Sequence, residues 1–314
     1  MIAIIPIAFV AGAASALMFA SMVSGALISV PLLYLAPLPL MVAALGWGPL
    51  CAAIGGIAAA IGLGIIFGLS YCTAFAVGVA LPAWWLGYLS LLGRPAAANN
   101  PPTADSAVLE WYPAGRILLW IGLFAVIITT GMLRTLGSDA PTITETLRAS
   151  VTTLLQEAGA APTEREIDAL ITIAPIAAAM VTMMILTLNL WLAAKITATS
   201  GRLHRPWPDL KSTALPPRTL AVLCVAIAFC FSGGLPAIQA RIIAAALMVA
   251  YAFTGFAVLH TLTLALKHRK LWLSCTYAVV LMFSWPLLVM AILGLVDAIF
   301  RIRQRYLRPP LPAS

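Results

Sequence analysis

Long stretches of apolar residues, separated by short polar segments, run along the whole chain. A helix needs about 20 apolar residues to cross the hydrocarbon core of a bilayer, so each such stretch predicts a membrane span. Pro, Gly and charged residues mark the breaks between stretches. The pattern predicts eight spans, at about Ile2–Val23, Ala26–Trp47, Leu50–Leu69, Cys72–Leu92, Ile117–Leu136, Leu170–Ile196, Thr219–Gly233 and Ile242–Leu266.

The composition agrees with a membrane protein. Of the 314 residues, 62% are hydrophobic and 9% are charged, whereas a soluble domain carries about 25% charged residues. The first charged side chain is Arg94, and the apolar core of a signal peptide is only about 7–15 residues long. The predicted fold class is therefore all-α, a polytopic transmembrane helical bundle of about eight spans, or nine if a further run crosses.

The pattern also predicts an organisation into regions that differ in polarity. They are a charge-free four-helix transmembrane region (1–93), a cytoplasmic loop (94–116), a fifth span (117–136), an amphipathic helical segment on the external side (137–168), a C-terminal transmembrane region (169–300) with a cytoplasmic loop (197–218), and a basic tail (301–314). In the amphipathic segment, Thr142 with Glu145 and Thr163 with Glu166 have the spacing of capping boxes, which predicts a helix start at each.

Lys and Arg predict the orientation, because loops on the cytoplasmic side carry an excess of both. Residues 195–218 hold five of them, whereas residues 137–168 hold two against six acidic residues. Residues 195–218 are therefore predicted to be cytoplasmic and residues 137–168 external. Counting back through five spans places the N-terminus in the cytoplasm as well. A ninth crossing at Leu271–Phe300 would place the arginine-rich tail outside. Either the run around Pro286 enters the membrane and returns to the same side, or an earlier span does not cross the membrane. We favour a cytoplasmic tail.

The basic loop that follows the sixth span has two interpretations. Trp191 and Trp207 fit the headgroup level of the bilayer, and the neighbouring cations fit anionic lipid. The alternative is a docking loop for a cytoplasmic partner, with Arg205 and Trp207 as candidate contacts. Pro206 and Pro208 would hold Trp207 in an extended turn.

Little in the chain points to catalysis, a cofactor or nucleic acid. The net charge of +8 comes from cations in loops beside apolar spans, which is the positive-inside pattern and not a nucleic-acid-binding surface. The five cysteines form no Cys-x-x-Cys pair and no metal-ligand spacing with His. We find no hydrolase motif and no phosphate-binding loop, so we expect neither an enzyme nor a metal site. ATP-driven work would need another subunit.

Polar residues inside spans are the default candidates for function, because burying them in lipid is costly. Asn189 in the sixth span is expected to hydrogen-bond a neighbouring helix. His260 in the eighth span is interpreted as a packing residue more readily than as a ligand or proton carrier. Asp297 is expected near the membrane interface, paired with Arg301 one turn later.

Small residues recur every four positions in the first and third spans. The two series are Gly12, Ala16, Ala20 and Ser24, and Gly56, Ala60, Gly64 and Gly68. Each makes a smooth groove in which another helix can approach closely. The groove serves either packing within the chain's own bundle or docking of a partner's helix.

Three segments resemble the YybS-like family of uncharacterised bacterial inner-membrane proteins. They are "NLWLAAKI…SGRLHRPWPDL", "FTGFAVLH" and "LGLVDAIFRIRQR". The first ninety residues are also similar to the S components of energy-coupling-factor transporters, and the family is distantly similar to the rod-shape protein MreD. In S components, small residues of the first helix dock the membrane T component. That resemblance implies docking at Ala16 and Ala20, flanked by Gly12 and Ser24, and transfers no ligand residue.

Two functions follow as hypotheses for a multi-pass protein of the bacterial inner membrane. The first is a substrate-binding subunit of an ATP-driven importer, with a T component and ATPase subunits as partners. It predicts a pocket near Trp84, Trp85 and Tyr88, or at residues 137–168. The second is a scaffold of envelope assembly, as in MreD, which predicts protein partners and no pocket.

Overall fold

The protein is almost entirely helical, as the apolar pattern predicts. A computed structural model describes residues 4–95, 109–159, 162–207, 213–283 and 285–306. Within these residues the regular structure consists of α-helices, short 3₁₀ and π segments and one two-stranded hairpin. The prediction of an all-α polytopic membrane fold is therefore confirmed.

The α-helices of the described residues are numbered in chain order. The N-terminal six are α1 (Ile4–Ala20), α2 (Ser29–Leu35), α3 (Pro37–Trp47), α4 (Pro49–Phe67), α5 (Leu69–Phe75) and α6 (Leu81–Leu91). The next four are α7 (Ala114–Leu136), α8 (Ala140–Glu157), α9 (Glu164–Thr199) and α10 (Arg218–Phe229). The last four are α11 (Gly234–Leu262), α12 (Arg269–Met282), α13 (Pro286–Phe300) and α14 (Ile302–Tyr306).

Seven helical stretches of the described residues are long and apolar enough to cross a membrane. They are Ile4–Ser24, Ser29–Trp47, Pro49–Phe67, Leu69–Leu91, Ala114–Leu136, Glu164–Thr199 and Gly234–Leu262. They correspond to the first six predicted spans and the eighth. The predicted seventh span is α10, a helix of 12 residues, which at about 1.5 Å per residue is shorter than a bilayer core of about 30 Å.

The ambiguous run at the C-terminal end forms two helices. α12 has 14 residues and α13 has 15, so each is shorter than a spanning helix. Pro286 is the first residue of α13, a position where its missing N–H costs no helical hydrogen bond. The interruption that the sequence predicts at Pro286 is therefore present, and it divides the run into two short helices.

The chain divides into two compact units. Unit 1 comprises Met1–Pro113 and Thr182–Trp207, and unit 2 comprises Ala114–Val181 and Pro208–Ser314. The N-terminal half of α9 belongs to unit 2 and its C-terminal half to unit 1.

In unit 1, α1 packs closely on α4. A Cβ atom on Gly12 would overlap the carbonyl oxygen of Gly55, and a Cβ on Gly55 would overlap that of Ala8. Only glycine lets the two backbones come this near, which is how small residues support helix packing in membranes. A π-helical segment, Ala76–Ala80, joins α5 to α6.

In unit 2, α11 and α13 form the closest helix pair. A Cβ on Gly255 would overlap the carbonyl oxygen of Met290, and a Cβ on Gly294 would overlap that of Tyr251. The earlier residue of α11, Tyr251, faces the later residue of α13, Gly294, and Gly255 faces Met290. α13 is therefore antiparallel to α11. Tyr251 is fully buried there, and its hydroxyl lies 2.8 Å from the Thr219 hydroxyl of α10.

The predicted polar loop 94–116 contains a short hairpin. β1 (Gly93–Pro95) pairs antiparallel with β2 (Leu109–Trp111). An ion pair of 2.8 Å between Arg94 and Glu110 links the two strands. The apolar pattern gave no signal for these strands because each has only three residues. The part of the loop between them lies outside the described residues.

Candidate functional site

A cleft of about 100 Å³ in unit 2 lies between α8, α9 and α11. α8 contributes Ile143, Thr144 and Leu147, and α9 contributes Ile171 and Thr172. Arg241 of α11 is the one charged residue among the described residues that line the cleft. The cleft therefore combines apolar side chains with a single guanidinium.

Arg241 is half-buried and lies two turns inside α11, about 10 Å from the first residue of the helix. Its guanidinium makes no hydrogen bond or ion pair with another residue in the described part of the chain. A charged side chain within an apolar helix normally pairs with another group or faces a polar cavity. Arg241 is therefore the strongest candidate for a functional residue.

Sequence reasoning missed Arg241 because of a helix boundary. The apolar pattern starts the eighth span at Ile242, whereas α11 begins at Gly234. Gly233 and Gly234 both have positive φ angles of 85° and 63°, so the break predicted at this Gly-Gly pair is present. The helix resumes directly after it, with Pro236 in its first turn. The signal available in the sequence was a single Arg that lies two turns after a Gly-Gly pair at which a helix can start.

Two of the helices that line the cleft, α8 and α9, have capped N-termini. The Asp139 side chain accepts a hydrogen bond from the Thr142 backbone N–H, so Asp139 is the N-cap of α8. The predicted box of Thr142 with Glu145 is therefore wrong, because the helix begins at Ala140. These hydrogen bonds hold the pKa of Asp139 below its usual value, with the Thr142 hydroxyl as the main donor.

The second predicted capping box is confirmed at the start of α9. Glu166 accepts from the Thr163 backbone N–H at 2.8 Å, and the Thr163 hydroxyl accepts from the Glu166 N–H at 3.4 Å. Arg148 of α8 then bridges to Glu164 at 2.7 Å and to Asp168. Caps and ion pairs together fix α8 against the first turns of α9, beside the cleft.

The Asp297 carboxylate has a different partner from the one predicted. It accepts from the backbone N–H and the Nε of Arg303, at 2.9 and 2.8 Å, and both side chains are buried. Arg301, the predicted partner, has a φ of 54° and ends α13. The chain turns back at that residue, which brings Arg303 to Asp297. The Arg303 guanidinium also donates to the Thr213 carbonyl oxygen at 2.8 Å.

Asn189 and His260 behave as packing residues. The Asn189 side-chain amide is buried and donates to the carbonyl oxygens of Tyr34 and Ile185, each at 2.8 Å. The bond to Tyr34 reaches α2, as expected for a hydrogen bond between neighbouring helices. The His260 Nε2 lies 2.9 Å from the Tyr277 hydroxyl, and Arg269 lies beside the other ring nitrogen.

One end of unit 1 carries the basic and aromatic residues of the predicted docking loop. Arg205 donates to the carbonyl oxygens of Ser90 and Tyr112, at 3.1 and 2.9 Å, and burial lowers the pKa of its guanidinium. Arg205 therefore fixes the loop to the end of α6 and to the hairpin. Pro208, Asp209 and Lys211 of this loop lie outside the described residues.

Two further cations at this end lie over indole rings. The Arg202 guanidinium is 4.5 Å from the ring of Trp47, and the Lys195 ammonium is 5.5 Å from the ring of Trp207. Trp207 is exposed. Such cation–π pairs hold both charges at the surface of the unit.

The four small residues of the first predicted span differ in exposure. Gly12 is buried against Gly55 of the same chain, whereas Ala16 and Ala20 are half-buried and Ser24 is exposed. The Ser24 hydroxyl lies 2.8 Å from that of Ser29. Packing within the bundle therefore uses Gly12, and partner docking at Ala16, Ala20 and Ser24 stays a prediction.

The aromatic residues named for a pocket lie on α6. Trp84, Trp85 and Tyr88 form a ladder, with ring centroids 5.6 and 5.7 Å apart. None of them lines the cleft; α8, which lies within residues 137–168, forms one of its walls, and the other walls lie beyond that range. No group of three or more His, Cys, Asp or Glu side chains suited to a metal ion occurs in the parts of the chain that the structure describes.

Comparison with known proteins identifies the family. No curated protein and no solved structure matches the chain at a significant level. A family model described as "Predicted membrane protein (DUF2232)" matches residues 12–298, which is most of the chain. The match agrees with the resemblance to YybS-like proteins and covers six candidate spans in full and the first from Gly12 onward. The chain is therefore a member of the DUF2232 family of predicted membrane proteins.

Proposed function

We propose that the chain is a non-enzymatic small-molecule-binding subunit of an ATP-driven importer in the bacterial inner membrane. The observation that carries the proposal is the cleft between α8, α9 and α11, lined by Arg241, which has no partner among the described residues. A concave apolar site with a few convergent polar groups is the usual form of a ligand site. The similarity of the first ninety residues to S components supports the same function.

The proposal includes an orientation, with the N-terminus and the basic end of unit 1 in the cytoplasm. The excess of Lys and Arg near Lys195 and Arg202 supports it. α8 and its cleft are then on the outer side, where a substrate-binding subunit meets its ligand.

Labelling of single cysteines in intact cells tests the orientation. In a variant without the five native cysteines, a membrane-impermeant maleimide should label Ser150→Cys in α8, which is exposed, and spare Ser200→Cys at the end of α9. Permeabilised cells serve as the control, because both positions should then react. Labelling of position 200 alone in intact cells would reverse the proposed orientation.

Native purification tests the binding function. The full chain is extracted in mild detergent, and small molecules released on denaturation are identified by mass spectrometry together with co-purifying proteins. We expect one small molecule in near-stoichiometric amount, and an ATPase with its membrane partner. Purified chain that carries neither would contradict the importer proposal.

A scaffold of envelope assembly is the second candidate, and the size of the cleft favours it. Drug-sized ligands occupy pockets of about 300–1,000 Å³, well above the cleft volume of about 100 Å³. Cysteines placed at Ala16, Ala20 and Ser24 would be tested for crosslinks to other polypeptides. Crosslinks to envelope-assembly proteins, without a bound small molecule, would support the scaffold and exclude the importer subunit.

A further inference from the structure

We propose that the cleft between α8, α9 and α11 binds the oxyanion group, a carboxylate or a phosphate, of a small amphipathic ligand through Arg241. The inference rests on the proposed binding function and specifies the chemistry of the ligand. It follows from the charge, the hydrogen-bonding capacity and the size of the cleft.

The charge of Arg241 is not compensated by any of the described residues. A guanidinium within an apolar helix has lost part of its hydration, and it gains most from an oxygen anion that accepts two parallel N–H bonds. No residue in the described part of the chain forms a hydrogen bond or an ion pair with this guanidinium. An exogenous oxyanion would supply the missing charge.

Two acidic residues of the α8–α9 pair already have a cationic partner. Glu164 and Asp168 both accept from Arg148 on the exposed side of the pair. They are therefore balanced by a different cation, and the positive charge of Arg241 remains available to a ligand.

The hydroxyls that line the cleft sharpen the selectivity. Thr144 donates its hydroxyl proton to the Ala140 carbonyl oxygen at 2.8 Å, and Thr172 donates to that of Asp168 at 2.9 Å. A hydroxyl has one proton to donate, so these two oxygens only accept within the cleft. The guanidinium of Arg241 is thus the donor that can hold an anion there.

The size and the apolar wall define the rest of the ligand. Ile143, Leu147 and Ile171 face the cleft, which suits a short hydrocarbon portion. The cleft volume of about 100 Å³ is well below the roughly 300–1,000 Å³ of pockets for drug-sized ligands. The site therefore fits a head group with a few carbons and excludes a large vitamin.

Thermal unfolding of the purified full chain in neutral detergent tests the inference with matched probes. Hexanoate and hexanamide share a hydrocarbon chain and differ in charge, and hexyl phosphate supplies the second oxyanion. We expect a saturable rise of the unfolding midpoint with hexanoate or hexyl phosphate and none with hexanamide. Equal shifts with acid and amide would overturn the inference.

Substitution of the guanidinium tests whether the effect comes from this residue. Arg241→Gln should weaken the apparent affinity for the oxyanion by about tenfold to a hundredfold, as expected for a lost charge-assisted hydrogen bond. Arg241→Lys should retain part of it. Arg134→Gln at the end of α7 removes an exposed charge elsewhere in unit 2 and should leave the affinity unchanged. An undiminished shift in Arg241→Gln would refute the role of Arg241.

The same unfolding measurement with two lipids distinguishes a lipid headgroup from a free small molecule as the source of the oxyanion. Short-chain phosphatidic acid is compared with phosphatidylcholine of the same chain length. A shift that depends on Arg241 and occurs with the anionic lipid alone would support the oxyanion site and remove its support for import. No shift with hexanoate, hexyl phosphate or anionic lipid overturns the site.

The variant Arg241→Gln also distinguishes an error in this inference from an error in the proposed function. If the wild-type chain purifies with a bound small molecule and Arg241→Gln retains as much of it, the oxyanion site is refuted and the binding function stands. If nothing is retained, while the hexanoate shift depends on Arg241, the site is supported and the importer function is not.

Discussion

Asp297 and Arg303 form a buried ion pair, with the Arg303 Nε 2.8 Å from a carboxylate oxygen of Asp297. The two residues are only 6% and 7% exposed. Removal of one member of such a pair leaves an uncompensated buried charge, which costs about 3–5 kcal/mol. Arg303→Met should therefore lower the free energy of unfolding by about that amount, measured by thermal or denaturant unfolding in detergent.

The double variant Asp297→Asn with Arg303→Met is the control for this prediction. It removes both charges, so it should be clearly less destabilised than Arg303→Met alone. Equal destabilisation of the single and double variants would show that packing, and not the unpaired carboxylate, accounts for the loss.

The close approach of α13 to α11 predicts the effect of two small substitutions. Gly255→Ala or Gly294→Ala places a methyl group against a backbone carbonyl of the opposite helix, which must move away. We expect each to lower the unfolding temperature and to cost about 1–3 kcal/mol.

Gly131→Ala in α7 is the matched control for the glycine substitutions. Nothing lies within 4 Å of a Cβ at that position, and alanine is favoured over glycine in a helix by about 1 kcal/mol. This variant should be neutral or more stable. A loss of stability as large as that of Gly255→Ala would argue against the close α11–α13 contact.

The N-cap of α8 predicts a pH dependence. Hydrogen bonds from Thr142 lower the pKa of Asp139 in the folded state. The cap is therefore fully formed above the usual aspartate pKa of about 3.9, and its stabilisation is lost as the pH falls through the lowered value. The protection factors of amide hydrogen exchange in the first turn of α8, which correct for the intrinsic pH dependence of exchange, should therefore fall at low pH.

Two variants of Asp139 check the cap. Asp139→Ala should show low protection factors in the first turn of α8 at every pH, because the cap is absent. Asp139→Asn should keep the cap, since Asn is also a good N-cap residue, and should lose the acid-induced fall in protection. The same pH profile in Asp139→Asn and in the wild type would mean that a different group titrates.

The contacts of Arg205 predict that it holds the hairpin in place. Arg205→Ala removes donors to the carbonyl oxygens of Ser90 and Tyr112. We expect a loss of about 1–3 kcal/mol in stability and faster hydrogen exchange at Tyr112. Arg202→Ala, which removes a stacked and exposed guanidinium, should leave that exchange unchanged. Unchanged exchange in Arg205→Ala would contradict its anchoring role.

The sequence predicted the helical class and most spans because both depend on composition over about 20 residues. It was weakest where one residue decides the outcome. The start of α11 at Gly234 placed Arg241 inside a helix, and that start depends on the backbone conformation of two glycines. The apolar pattern carries no information on φ angles.

The polar partners were predictable only where they are local. The box of Thr163 with Glu166 lies within four residues and was found, whereas Asp297 pairs with Arg303 because the chain reverses at Arg301. The Arg303 contact to Thr213 joins residues 90 apart in the chain. Tertiary folding determines such contacts, so no spacing rule could predict them. For the same reason, the sequence pattern could not bring Arg241 together with α8.

The absence of charge from the first four spans bears on the insertion of the nascent chain during translation. Lys and Arg flanking a span orient it in the bilayer, and the first such residue is Arg94. Within residues 1–93, therefore, no Lys or Arg fixes the orientation of the four helices. We expect that two lysines introduced into the segment around Gly25 would hold that segment on the cytoplasmic side and so invert the orientation of this block.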